Sequence, residues 1–264
     1  MGSPNVALLY PTPDTGEDDF LALSRHIVPS IDVEVVYLPW PGAPDTSSLS
    51  PSEIVDSLRR LGSAEHLSGA VPTALANAAH RPDVVVFAVT SSSFLHGSQG
   101  VSGQVDLLER LSGVRATSTT AAFQAAIRHL RLSTVTVASV YPPLITDHFI
   151  DRVRDLGTDV VHRVDADGRS DHEVAAWTAD QITELVEQAA RPDADAVLLP
   201  ETALHAATIT RQLECAARGS PVLTATQVTL WHAATLAGLT PRAAESGPLF
   251  AEQPVTPSFG EPGP

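Results

Sequence analysis

Asp83-Val84-Val85-Val86-Phe87-Ala88-Val89-Thr90 and Asp195-Ala196-Val197-Leu198-Leu199-Pro200-Glu201-Thr202 follow one plan: an acid, an apolar run, and a Thr seven positions after the acid. Arg-Pro-Asp comes just before both, as Arg81-Pro82-Asp83 and Arg191-Pro192-Asp193. Short apolar runs rich in β-branched residues read as strands buried on both faces, as in a parallel sheet. The first run stops at Thr90-Ser91-Ser92-Ser93. Hydroxyls and backbone N–H groups that converge where a strand hands over to a helix make a pocket for oxygen anions. Helix capping uses the same residues in the same geometry, so both readings stand for Thr90, Ser91 and Thr202.

The repeat extends to the strands that open each half. Val6 to Phe20 aligns without gaps to Val135 to Phe149, pairing Pro13 with Pro142, Asp18 with Asp147 and Phe20 with Phe149. A weaker pair is Thr117-Ser118-Thr119 with Thr224-Ala225-Thr226, each leading into an Ala-rich stretch. Paired elements in the same order predict an α/β protein of two pseudo-symmetric lobes. Each lobe is a parallel sheet flanked by helices, with the active-site cleft between them. The first lobe spans residues 1–116, completed by 225–240; the second spans 117–224; 241–264 is a Pro/Gly-rich tail or strap.

Strands are expected at Val6–Tyr10, Val33–Leu38, the two core runs, Val114–Thr117, Val135–Val140, Val160–Val164 and Val222–Thr224. Helices are expected from Pro51, over Ser63–Ala79 with a break near Gly69–Pro72, and over Val105–Leu111, Ala121–Leu130 and Asp147–Leu156. Others are expected over Val174–Ala190 as one long element, Ile209–Arg218 and Thr229–Leu236. Asp18 and Asp19 suit a first helical turn, and Asp165 to Asp171 reads as a polar turn.

A chain of 264 residues with 31 acids against 16 bases carries a formal charge of −15. That speaks against nucleic acid or an anionic membrane as partner, and no apolar run is long enough to span a bilayer. The single cysteine, Cys215, excludes an internal disulfide and is read as helix packing. No secretory leader is evident, so a cytoplasmic location is the expectation. The ten histidines are scattered, without HExxH or paired cysteines, so no metal site is expected, and no Gly-rich phosphate loop is present.

Glu201 is the residue that fits its surroundings least. It stands at the carboxyl end of a buried run, where an apolar residue would cost less. It is either an ordinary exposed loop acid or a partly desolvated acid with a raised pKa, suited to moving one proton near neutrality. Its repeat-mate Val89 cannot move protons. Tyr141, after a strand, is either a core tyrosine with a wet tip or a hydroxyl that reaches the cleft. His205, four positions on, is placed to tune Glu201 if the chain there is helical.

These residues resemble the aspartate/glutamate racemase superfamily, most closely its maleate isomerase and arylmalonate decarboxylase branch. Where that family ends one strand in Cys-Thr-Ser and another in Cys-Thr, this chain has Val89-Thr90-Ser91 and Glu201-Thr202. Pro11-Thr12-Pro13-Asp14-Thr15 is similar to its first loop, Val140-Tyr141-Pro142 to its Thr-Pro-Tyr element, and Pro221 to His232 to its closing strand and helix. The resemblance implies a cofactor-independent lyase or isomerase acting on a small carbonyl or carboxylic-acid metabolite through an enediolate. Glu201 and Tyr141 would be catalytic. Thr12, Asp14, Val89, Thr90, Ser91, Thr202 and His205 would line the substrate. The family tends toward dimers, which makes a homodimer the assembly to test. Both family cysteines are replaced, which argues against two-base racemisation and against a cysteine adduct. Asp14, where dicarboxylate-binding members place Asn, puts a plain dicarboxylate substrate in doubt. Two alternatives stay open: a binding protein without catalysis, and a hydrolase or hydratase that pairs Asp14 with Glu201.

Overall fold

The computed structural model describes residues 2–42 and 46–251. Among them, eight strands form two parallel four-stranded sheets of the same order. The first is β2-β1-β3-β4, from β1 (Asn5–Tyr10), β2 (Asp32–Tyr37), β3 (Val84–Phe87) and β4 (Arg115–Ser118). The second is β6-β5-β7-β8, from β5 (Thr134–Ser139), β6 (Asp159–Asp165), β7 (Ala196–Leu199) and β8 (Val222–Thr224).

The repeated acids have a shared task in this duplication. Asp83 accepts the Asn5 N–H at 2.8 Å with its carboxylate and donates its own N–H to the Asn5 carbonyl at 2.8 Å. Asp195 treats β5 alike, accepting the N–H groups of Ser133 and Thr134 at 2.7 and 2.9 Å and donating to the Thr134 carbonyl at 2.8 Å. Each acid thus satisfies backbone at the start of the neighbouring central strand, where no ladder partner is left. Phe20 and Phe149, matched in the repeat, are both fully buried.

The two faces of the first sheet bury different cores. Val84, Val86 and Ala88 join the large core that runs through both lobes, while Val85, Phe87 and Val89 join a smaller outer core with Leu61, Leu67 and Leu108. The strand period of two sends successive side chains to opposite faces. Val89 therefore packs away from the interlobe core.

The helices are α1 (Glu17–Ser24), α2 (Pro51–Leu61), α3 (Ala64–Ala76), α4 (Ser91–Phe94), α5 (Gly97–Ser112), α6 (Thr119–Leu130), α7 (Pro143–Arg154), α8 (Asp171–Ala175), α9 (Ala179–Ala189), α10 (Thr210–Ala216) and α11 (Ala225–Leu236). α11 leaves the second sheet and packs on α6, α1, β3 and β4. Beyond it, Arg242 bridges to Val28, and Leu249 and Phe250 are buried. The chain to residue 251 is thus packed down, and the rest of the expected tail lies outside the described residues.

Four local expectations are corrected. α3 runs through Pro72 without a break, because Pro72 and Ser68, whose carbonyl loses its donor, both face solvent. The long helix expected over Val174–Ala190 is two helices, because Thr178 starts a new one with a capping box to Gln181. The hydroxyl stretch after β3 is itself the single-turn helix α4, and α5 begins at Gly97 rather than near Val105. The chain after Glu201 is a turn followed by a 3-10 turn at Ala207–Ile209, so His205 does not stand one helical turn from Glu201.

Candidate active site

The loops beyond the carboxyl ends of β1, β3, β5 and β7 meet between the lobes. Tyr10 OH donates to the Thr202 carbonyl at 3.2 Å. A Cβ on Gly16 would lie 2.2 Å from that same carbonyl oxygen, so this close approach of the two lobes requires glycine. Thr90, at the matching place in the first lobe, has its carbonyl capped by the Thr120 hydroxyl at 2.8 Å.

Here lies a small cavity of about 30 Å³, walled by Trp40, Ile54, Leu58, Val140, Ile145 and Val174. Its polar side chains are Thr46, Ser91, Tyr141, Arg169, Ser170, Asp171 and Glu201. On this wall the Thr46 hydroxyl donates to the Arg169 carbonyl.

Glu201 is 7% exposed. Its Oε1 accepts the Ala203 N–H at 2.7 Å, which folds the acid back over the turn that ends β7. Burial, then the negative charge of Asp171, push its pKa from 4.5 up to about 7; bonds from Ala203 and Tyr141 oppose the rise. Near neutrality Glu201 therefore exists in both protonation states, as a general acid or base requires. The sequence left two readings of Glu201 open, and its burial removes the exposed loop acid.

Tyr141 is fixed from behind. Its N–H donates to Ser139 Oγ at 3.1 Å, and Ser139 Oγ lies 2.7 Å from Thr146 Oγ1. Its ring meets Phe94 of α4 edge-to-face at 5.8 Å, and Phe94 meets Phe149 in the same way at 5.6 Å. Its hydroxyl donates to the Pro200 carbonyl at 2.8 Å. Burial and the neighbouring Glu201 raise its pKa well above 10, so it serves as a hydrogen-bond donor and keeps its proton.

Asp171 was not expected here. It opens α8, whose cap is Ser170 Oγ accepting the Glu173 N–H at 3.2 Å. Gly168 lets this turn approach the sheet: its N–H reaches the Val140 carbonyl at 2.6 Å, and a Cβ there would come within 2.9 Å of Val174. Thr12 Oγ1, from the first lobe, donates to Asp171 Oδ2 at 2.7 Å. Burial raises the Asp171 pKa, against the Thr12 bond and nearby His172.

The remaining expected residues fall outside the cavity wall. Thr12 reaches the site through Asp171. Thr90 and Thr202 are buried beside it, and the Thr90 hydroxyl has no partner. Val89, expected to line the substrate, packs in the outer core instead. Asp14 is exposed, with φ of 59°, and lines a separate open depression with Glu17, Asp18, His172 and His205. His205 Nε2 lies 2.7 Å from Asp18 Oδ1, so it pairs with that acid and not with Glu201. Asp14 and Glu201 thus line different cavities. No cluster that could hold a metal ion is found among the described residues, and no helix there is long and apolar enough to cross a membrane.

Two duplicated α/β lobes, with a buried acid and a hydroxyl pair at the cleft between them, define an α/β protein with its site at the strand ends. The chain belongs to the arylmalonate decarboxylase family, which it matches over residues 55–250. Its fold is similar to that of the maleate isomerase Iso from Pseudomonas putida S16, at 18% identity and a TM-score of 0.79, with 94% of this chain and 98% of that one covered. It is similar to the Nocardia farcinica maleate cis-trans isomerase, solved as a mutant with a covalently bound succinylcysteine intermediate, at 14% identity and a TM-score of 0.79, covering 94% and 98%. Arylmalonate decarboxylase is also similar, at 18% identity and a TM-score of 0.68, covering 95% and 100%. No curated protein matches by sequence. The chain is thus an enzyme of the arylmalonate decarboxylase family, and it shares its fold with the maleate isomerases.

Proposed function

We propose that this protein is a cofactor-independent lyase of the decarboxylase kind, or an isomerase, that works on a small carbonyl or carboxylic-acid metabolite through an enediolate or enolate. Glu201 is its single acid/base, at the place where the family resemblance sets the second cysteine. One observation carries the reading: Glu201 is buried in the cavity with its pKa raised to about 7.

In a decarboxylation, the carbon–carboxylate bond breaks and carbon dioxide leaves. The electron pair moves onto the remaining carbonyl group as an oxyanion. Protonated Glu201 gives its proton to the carbon and regains one from solvent. An isomerisation uses the same group first as base and then as acid. Ser91 and Tyr141 line the cavity beside Glu201; Ser91 supplies a hydroxyl donor for the oxyanion, and Tyr141 supplies a second when its single O–H turns from the Pro200 carbonyl. Val89, in the outer core, offers no second proton carrier, which favours lyase chemistry over two-base racemisation.

The test is Glu201→Gln, assayed against activated β-keto acids and 2-substituted carbonyl acids with release of carbon dioxide and exchange of the α-hydrogen as readouts. Turnover is expected to fall by roughly 10²–10⁴-fold with the fold intact. Full activity in the variant would remove Glu201 from the chemistry. A ligand that binds the wild type at this cavity and is never turned over would return the chain to the binding-protein alternative.

A further inference from the structure

Among the described residues the cavity wall carries two acids, and its one cation, Arg169, is turned toward another acid. Glu201 enters from the end of β7 and Asp171 from the first turn of α8, and the rest of the wall is mostly apolar. Arg169 belongs to the wall, but its guanidinium lies 3.4 Å from Asp167 Oδ2, and the side chain is 47% exposed. The Glu173 carboxylate accepts the Arg169 N–H at 3.1 Å, which adds another negative group on that side. His172, beside Asp171, is exposed and lines the neighbouring depression with Asp14, Glu17, Asp18 and His205. Thr12, the hydrogen-bond partner of Asp171, is neutral and occupies Oδ2 alone. Oδ1 remains as an acceptor.

We propose that Asp171 is a specificity-determining residue. Through it the site selects a substrate with at most one carboxylate, whose hydroxyl, amide or ammonium group donates to Asp171, and it rejects dicarboxylates. The inference rests on the proton-transfer reading of this cavity and narrows its substrate class. A fixed carboxylate in an apolar cavity is stabilised by a donor and repelled by a second anion, and the apolar wall strengthens both effects relative to water. Thr12 holds Asp171 from the opposite lobe, so the charge is fixed in place. The chemistry of the preceding section remains available to such a substrate. A β-keto acid or a malonic half-amide loses its one carboxylate as carbon dioxide, and the carbonyl left behind takes the electron pair.

The experiment compares malonate with its half-amide, malonamate, which has one charge fewer on nearly the same skeleton. Binding is measured by calorimetry at pH 8 on Glu201→Gln, which removes both turnover and the Glu201 charge, alone and combined with Asp171→Asn or Thr12→Val, each checked by thermal unfolding. Glu201→Gln is expected to bind malonamate at least about tenfold more tightly than malonate. With Asp171→Asn added the preference should shrink to about threefold or less. With Thr12→Val added, which takes away the hydrogen bond that favours the Asp171 carboxylate, the preference should shrink by less than with Asp171→Asn. A carboxyl-carbon NMR titration of Glu201 supplies a second readout: its midpoint should fall in Asp171→Asn, because a neighbouring negative charge has gone. Equal binding of the two probes by Glu201→Gln, failure of malonamate to bind, or an unchanged preference when Asp171→Asn is added would each overturn the proposal. Binding in the Glu201→Gln background and the Glu201 titration involve no turnover, so the proposal can fail while Glu201→Gln still abolishes activity, and the converse also holds.

Discussion

The ends of β3 and β7 are the same place in two copies of one lobe, and they differ in what they do. Both follow an apolar run, both are followed by a Thr whose carbonyl takes a hydroxyl hydrogen bond, and both lie beside the cleft. At the end of β3 the side chain after Ala88 is Val89, which turns to the outer core. At the end of β7 the side chain after Pro200 is Glu201, which turns into the cavity. One lobe has made the position part of its packing, and the other has placed a titratable group there. Duplication supplies two equivalent strand ends, and chemistry needs only one of them to carry a proton.

The largest expected effect that bears on this comparison is at Glu201 itself. Its folded pKa of about 7 lies above the ordinary 4.5. Between those values the folded chain holds a proton that the unfolded chain has released, so this group makes stability fall as pH rises through the window. Glu201→Gln should therefore match the wild type near pH 4.5 and be more stable above pH 7, by up to about 3 kcal/mol. Thermal unfolding of both proteins from pH 4.5 to 8 measures it. Parallel curves would mean that the acid is solvated and the two strand ends differ less than they appear to.

Asp19 is the control for burial as such. It is 2% exposed, yet its carboxylate accepts the Ala207 N–H at 2.9 and 3.2 Å and the Thr226 hydroxyl at 2.7 Å. Those bonds tie α1 of the first lobe to the turn before α10 and to α11. Asp19 ties separate elements of the chain together, whereas the backbone bonds of Glu201 stay within its own turn, at Thr202 and Ala203, and its carboxyl faces the cavity. Asp19→Ala leaves a buried N–H and a buried hydroxyl without their acceptor and should cost about 3 kcal/mol in denaturant unfolding. A small loss there would blur the distinction between a stapling acid and a working one.

Tyr141→Phe keeps the ring packed on Phe94 and removes only the hydroxyl. The expected result is a fall in kcat of about 100-fold with KM little changed, because the donor acts on charge that develops during reaction. Stability should drop by only about 1 kcal/mol, for the lost bond to Pro200. An unchanged kcat would remove the Tyr141 hydroxyl from oxyanion stabilisation.

Most of the fold and half of the site could be read from the residues. The strands stood out because a parallel sheet buries both faces, which leaves uninterrupted runs of Val, Leu and Ala. Glu201 stood out because an acid is expensive at the end of such a run. Asp171 gave no comparable signal. It closes a polar turn in which acids are ordinary, and only the close approach at Gly168 and the Ser170 cap turn it inward. His205 misled for the same reason: its spacing from Glu201 suits a helix, and the chain there is a turn. The break before α9 was legible in Thr178-Ala179-Asp180-Gln181, a capping sequence inside an otherwise continuous apolar pattern.

The smallest effect tests the quiet half of the comparison. Val89 is 6% exposed and packs with Phe87, Leu61 and Leu67. Val89→Ala removes two methyl groups from that outer core and should cost about 2 kcal/mol in thermal unfolding. The cavity walls keep their residues, and Glu201 keeps its neighbours, so the midpoint of its NMR titration should stay in place. The contrast between the strand ends then rests on which way one side chain turns. If Val89→Ala instead leaves stability unchanged and shifts the Glu201 titration, Val89 faces the cavity. Both lobes would then contribute their strand-end residue to one site, as a symmetric duplication first supplies it.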